Sequence, residues 1–160
     1  MRLWLEDTAA TERLGAALAN SRPPRAVAHL QGDLGAGKST LARALLRTLG
    51  VLGAIRSPTY TLVERYPLPA GGEALHLDLY RIGDAAELEF LGIDPGDGSL
   101  WLVEWPERGG TGLPPADLQV RLAIEGRGRR ADLFALTAEG RAWLDGLAAF
   151  PELQELPVPE

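Results

Sequence analysis

The 160-residue chain has no cysteine, which excludes disulfides, thiolate metal sites and a cysteine nucleophile. Its two histidines, His29 and His76, are too few for a zinc site built from histidine. No apolar run approaches the ~20 residues that span a bilayer. The opening MRLWLEDTAATERL carries acids where a signal peptide needs an apolar stretch, so the chain is expected to be cytoplasmic and to have no membrane partner. An excess of positive charge is also missing. The formal net charge is −6, which gives phosphate backbones little to attract, and any tie to nucleic acid is expected to run through a partner. Lysine is the scarcest basic residue: Lys38 is the only one among 16 lysines and arginines. A compact ammonium on a flexible stem fits between phosphate oxygens where a planar guanidinium does not.

What is present is an ordinary globular composition, 46% hydrophobic and 24% charged, enough to bury a core. The length fits one domain, here residues 1–150, followed by a Pro-rich, loosely ordered tail over 151–160. MRLWLE reads as a strand, and TAATERLGAALANSR as a helix capped by Thr8. AVAHLQ is a buried strand that leads into a glycine-rich loop. In KSTLARALLRTLG the leucines Leu41, Leu45, Leu46 and Leu49 fall on one helical face, and Gly50 stops the helix. YTLVERY, EALHLDLY, SLWLVEW, DLQVRLAIEG and RADLFALT follow as strands; DAAELEFLG is a short helix and TAEGRAWLDGLAAF a C-terminal one. The order predicts an α/β fold of the P-loop NTPase kind: a mixed sheet with a parallel core and antiparallel strands, flanked by helices on both faces.

Gly32, Gly37, Lys38 and Ser39 satisfy G-x-x-x-x-G-K-[ST] between a predicted strand and a predicted helix, the context the motif requires. Glycines at 32, 35 and 37 allow positive φ, so that successive N–H groups point inward at a phosphate, and the helix N-terminus adds partial positive charge. Lys38 is expected to bridge the β- and γ-phosphates, Ser39 to place its hydroxyl on Mg2+, and Thr40 to touch the α-phosphate. The guanine-reading N-K-x-D motif needs a second lysine, so ATP is the expected nucleotide.

Such a site needs an acid at the end of a neighbouring apolar strand. Asp78 in ALHLDLYR and Glu104 in LWLVEWPER compete for it; Glu104 is favoured because Pro106 ends its strand where the acid would emerge. SPTYTLVERY supplies Ser57, Thr59, Tyr60 and Thr61, hydroxyls suited to a switch that touches Mg2+ or the γ-phosphate, or to plain strand packing. EGRGRR, with Arg127, Arg129 and Arg130, reads as a solvated hairpin or as a source of an arginine to the nucleotide or to an RNA phosphate. His29 and His76 read as packed strand residues, and Trp101 and Trp105 as fluorescent reporters near the site.

Together, GDLGAGKST, SPTYTLVERY, HLDLYRI, ELEFLGID, LVEWPERG and the later Gly126-Arg127 resemble the TsaE (YjeE) family of small P-loop ATPases, in that family's order and spacing over about residues 28 to 130. The resemblance implies that Gly32, Asp33, Leu34, Gly35, Ala36, Gly37, Lys38, Ser39 and Thr40 bind ATP phosphates. It implies that Ser39 and Glu104 hold Mg2+, that Asp78 is important for hydrolysis, that Trp105 sits beside the nucleotide and that Gly126 and Arg127 lie near the base; read from the residues themselves, Lys38, Glu104, Thr59 and Thr61 join Asp78 as candidate catalytic residues. It further implies a weak Mg2+-dependent ATPase, accessory to the TsaB and TsaD proteins. That pair transfers a threonylcarbamoyl group to adenosine 37 of tRNAs reading codons that begin with A. Two other readings stay open: a small-molecule kinase of the P-loop class, and a nucleotide-gated interaction module in which Asp78 is structural.

Overall fold

A computed structural model describes residues 1–155 of the chain. In chain order it holds β1 (Arg2–Leu5), α1 (Thr8–Ser21), β2 (Ala26–Gln31), α2 (Lys38–Thr48), β3 (Val63–Pro67), β4 (Glu73–Asp78), β5 (Leu100–Glu104), β6 (Leu118–Glu125), β7 (Gly128–Ala135), α3 (Ala138–Leu147) and β8 (Gln154–Glu155). Short 3-10 helices cover Ala85–Leu91, Pro106–Arg108 and Gly110–Gly112. The strands form one sheet in the order β3-β4-β5-β2-β6-β7-β1-β8. Its centre, β4-β5-β2-β6, is parallel, while β3 and the run β7-β1-β8 add antiparallel edges. This is the mixed α/β sheet that the strand spacing predicts.

Local chemistry accounts for the helices. Asp7, one residue earlier than the predicted Thr8, caps α1: its Oδ1 accepts the Ala10 N–H at 2.8 Å. A carboxylate is the better acceptor for an orphan N-terminal donor. Leu14 and Leu18 of α1 meet Leu41, Leu45 and Leu46 of α2 in the main core cluster. The two helices approach closely at Gly15, where a Cβ would lie 2.8 Å from the Ala44 Cβ. Trp143 of α3 is fully buried in the same cluster and donates its indole N–H to the Leu18 carbonyl at 3.0 Å.

All three α-helices therefore pack on one face. The other face carries a smaller cluster of Leu75, Leu77, Leu79, Ile82, Leu88, Trp101 and Val103, to which Leu88 of the 85–91 3-10 helix contributes. Helices on both faces are found, but on the second they are short 3-10 segments, the longest of seven residues.

Two further expectations shift. β3 starts at Val63 and not at Tyr60, because Leu62 takes φ 66° and its N–H closes a turn on the Pro58 carbonyl at 2.8 Å. The segment expected to be a loose tail begins with a strand: Gln154 and Glu155 pair with Trp4 and Leu3 of β1, giving that edge strand a backbone partner. Residues 156–160 of the tail lie outside the described residues.

Candidate functional site

The parallel register stacks side chains in rows across the helix-facing side of the sheet. Leu30, Glu104 and Asp78 share the last row, and Ala28, Leu102 and His76 the row below it. In parallel strands paired residues point to one face. The two acids thus emerge side by side at the C-terminal ends of β5 and β4, beside the loop that follows β2. Crevices at this edge are where open α/β sheets bind ligands.

The loop from Gly32 to Gly37 turns on positive φ: 148° at Gly32, 80° at Gly35 and 109° at Gly37. Gly32 is also sterically required, since a Cβ there would lie 2.4 Å from the Leu122 carbonyl oxygen. Gly37 occupies the N-cap of α2 and no side chain caps that end, which leaves the first N–H groups of the helix directed at the cleft.

Lys38 is 5% exposed. Its Nζ donates to the carbonyls of Gly32 and, at 3.0 Å, Asp33, and lies 4.4 Å from the centre of the Trp105 ring. Among the described residues it forms no ion pair. Burial pulls its pKa below the ordinary lysine value, against the opposing pull of Glu104, Asp78, Glu107 and Asp33.

Ser39 donates its hydroxyl to Glu104 Oε1 at 2.8 Å. Glu104 is 2% exposed, and its other oxygen, Oε2, lies 2.6 Å from His76 Nε2. Asp78 is held as tightly: Oδ1 accepts the Tyr80 N–H at 3.0 Å and Oδ2 accepts the Thr59 hydroxyl at 3.1 Å, with Ser57 Oγ 2.7 Å from Thr59 Oγ1. Leu34, Lys38, Ser39, Thr59, Asp78, Tyr80, Glu104 and Trp105 line one cleft of about 240 Å³. Trp105 takes φ 56°, a left-handed conformation that costs a non-glycine residue ~1 kcal/mol and is concentrated at functional positions. It turns the chain off β5 and sets its ring beside Tyr80, 4.9 Å between centroids. A second cleft of about 380 Å³ continues past Gly35, Gly37 and Thr40 to Glu6, Asp7, Thr11, Arg127 and Arg129.

Most of the residues picked from the sequence thus converge. Leu34, Gly35, Gly37, Lys38, Ser39, Thr40, Thr59, Asp78, Glu104 and Trp105 line the first cleft, Ala36 and Arg127 line the second, and Gly32 contributes the carbonyl that holds Lys38. Asp33 and Leu34 take part differently: Asp33 by its backbone carbonyl, Leu34 as a side chain 62% exposed at the rim. Thr61 is not brought in. It lies in the turn before β3, and its hydroxyl donates to Glu64 at 3.0 Å. Its neighbour Tyr60 is exposed, with the Arg81 guanidinium 4.4 Å from its ring centre. Trp101, expected near the site, is at the other end of β5, where its indole N–H donates to the Asp97 carbonyl at 2.7 Å.

Three contributors were not picked out for the site. His76 read as a packed strand residue, although its i−2 spacing from Asp78 puts both on one strand face. Arg129, beside the chosen Arg127, donates to the Gly35 carbonyl at 3.1 Å, so the EGRGRR hairpin leans on the loop. Thr11 of α1 reaches the second cleft with no local signal to mark it.

The donor set fits Mg2+ and a nucleotide phosphate. A buried ammonium that makes no direct ion pair among the described residues, beside an uncapped helix start, suits an anion. Ser39, Glu104, Asp78 and Thr59 offer only oxygen, as hard cations prefer. Mg2+ typically takes one or two protein oxygens plus phosphate and water.

The family model described as "Threonylcarbamoyl adenosine biosynthesis protein TsaE" matches residues 5–131. A Haemophilus influenzae protein named tRNA threonylcarbamoyladenosine biosynthesis protein TsaE is 46% identical over 115 residues, 71% of this chain and 72% of the relative. The Bacillus subtilis protein of that name is 37% identical over 144 residues, 86% and 84% of the two chains. The crystal structure of Bacillus subtilis YdiB superposes with a TM-score of 0.74 at 23% identity, covering 92% of this chain and 93% of that one, a likeness of fold. With a glycine loop, a lysine and two strand-end acids in place and this match across most of its length, the chain belongs to the TsaE family.

Proposed function

We propose that this protein takes part in the biosynthesis of threonylcarbamoyladenosine in tRNA as an accessory Mg2+-dependent ATP-binding and hydrolysing protein. In this reading it acts with the TsaB and TsaD proteins and meets tRNA through them. The pathway follows from the names its relatives carry. The nucleotide chemistry rests on one observation above all: Ser39 bonded to the buried Glu104, beside a buried lysine whose ammonium donates to the loop carbonyls of Gly32 and Asp33.

In this reading the N–H groups of the Gly32–Gly37 loop and of the first turn of α2 bind the phosphates. Lys38 exchanges its two carbonyl partners for phosphate oxygens, a stronger charge-assisted contact. Ser39 and Glu104 would hold Mg2+, which when bound would neutralise phosphate charge and polarise the terminal phosphoryl group. Asp78, oriented by Tyr80 N–H and Thr59, is placed to position an attacking water, and the 57–62 turn can release with Thr59 when the nucleotide changes. Arg127 and Arg129 face the nucleoside side. A site held this tightly by its own residues turns over slowly until a partner acts on the switch.

The test is phosphate release from Mg·ATP by the purified protein, alone and with TsaB and TsaD, with Lys38→Ala as the blank. Weak release that changes when the pair is added is expected. Fast release alone, indifferent to the pair, would overturn the accessory role.

A further inference from the structure

We infer that His76 is a positioning residue for Glu104: its ring N–H holds one carboxylate oxygen so that the other stays turned toward Ser39. The inference rests on the nucleotide reading above and goes beyond it. His76 is fully buried, and its Nε2 lies 2.6 Å from Glu104 Oε2. An ionised carboxylate only accepts, so Nε2 must carry the hydrogen. The opposite oxygen, Oε1, takes the Ser39 hydroxyl at 2.8 Å. Glu104 is thus clamped from both sides, from α2 above and from β4 below.

Packing alone does not account for this residue. His76 stands in a row with Leu102 and Ala28, where an aliphatic side chain would satisfy the core. Its Nδ1 is buried and has no hydrogen-bond partner among the described residues, a polar group that costs stability where it stands. A leucine at 76 would remove that cost, but it would leave Glu104 Oε2 without a partner at 2% exposure. The carboxylate would then be free to rotate about its last torsion, which is soft, and Oε1 would lose its fixed direction. Groups that orient a metal-binding carboxylate in this way typically change metal affinity by about 10- to 100-fold when removed.

The experiment measures ADP binding by calorimetry, in EDTA and over a series of Mg2+ concentrations, for wild type, His76→Leu and His76→Gln. The glutamine amide sits as far along its side chain as the imidazole Nε2 and can replace the donor. His76→Leu is expected to bind ADP in EDTA as wild type does, but to need about 10- to 100-fold more Mg2+ for the metal-dependent gain. His76→Gln is expected to stay within a few-fold of wild type. If His76→Leu does not fold by circular dichroism, His76→Asn, polar but too short to reach Oε2, takes its place with the same expectation. An unchanged Mg2+ requirement in a folded variant without the donor overturns the role of His76 alone, as does loss of ADP binding in EDTA, which would make His76 a support of the loop. Wild-type protein that binds no ADP, or binds it without regard to Mg2+, overturns the nucleotide reading and this inference with it.

Discussion

Replacing Gly32 and Gly35 by alanine, one at a time, separates the steric demand of the phosphate loop from its conformational demand. At Gly32 the added methyl would meet the Leu122 carbonyl oxygen at 2.4 Å and the Ala36 Cβ at 3.1 Å. An ordinary C···O contact is about 3.3–3.6 Å, so the loop or the end of β6 must move by about 1 Å. Crowding of this kind costs about 1–3 kcal/mol, and a φ of 148°, open to few residues but glycine, adds about 1–3 kcal/mol. At Gly35 the φ is 80° and no atom lies within 4 Å of the added methyl, so only the left-handed penalty of about 1–2 kcal/mol applies. With about 2–4 °C of melting temperature per kcal/mol for a chain of this size, Gly32→Ala is expected to lower Tm by about 4–24 °C and Gly35→Ala by about 2–8 °C. Circular dichroism melts of the nucleotide-free proteins read both. ADP binding is expected to fall further in Gly32→Ala, because the same shift displaces the carbonyl that holds Lys38. A Gly35→Ala protein destabilised as much as Gly32→Ala would refute the assigned loop geometry.

Lys38→Ala is expected to weaken ATP binding by about 1.5–3 kcal/mol, the worth of a charge-assisted contact, or roughly 10- to 150-fold in Kd. Lys38→Arg should not restore it, because the guanidinium fork cannot enter between the Gly32 and Asp33 carbonyls; wild-type affinity in either variant, by calorimetry, would disprove the assignment. Asp78→Ala should retain ATP affinity and lose phosphate release. Thr59→Ala should weaken release and Thr61→Ala leave it within two-fold, since only Thr59 reaches Asp78; equal effects of the two threonine changes would sink that distinction. Burial depresses the pKa of His29 below the ordinary 6.5. Between that depressed value and 6.5 the unfolded chain binds a proton that the folded chain refuses, so this part of the stability is complete above 6.5 and is lost as pH falls through the window. Urea unfolding at pH 7.5 and 5.5 should therefore show a smaller pH loss in His29→Gln than in wild type, and an equal loss would contradict the assignment.

The GDLGAGKST stretch predicts its own structure because each requirement is local: glycine wherever φ is positive, and a lysine and serine opening a helix whose leucines repeat every three to four residues. The strands around it are legible for the same reason, as apolar runs bounded by Pro and Gly, and Glu104 and Asp78 mark strand ends. The sequence motifs also carried the family, since SPTYTLVERY and EWPE sit at fixed distances from the loop. Thr59 and Thr61 look alike on paper, and only the αL turn at Leu62, which is bonded back to Pro58, sends one to Asp78 and the other to solvent. Trp101 lies near the start of β5 and Trp105 just past its end, and the length of the strand between them puts them at opposite ends of the sheet.

What the sequence by itself determined, then, is whatever depends on neighbours along the chain: the phosphate loop, helix faces, strand identities and the acids at strand ends. The tertiary structure decided what depends on neighbours across the sheet. The β4–β5 register put His76 one row below Glu104, the β6–β7 hairpin carried Arg129 to Gly35, and β8 returned to the β1 edge. Strand order places β4 and β5, buried almost throughout their length, inside the sheet, a property of the whole core that no short stretch encodes.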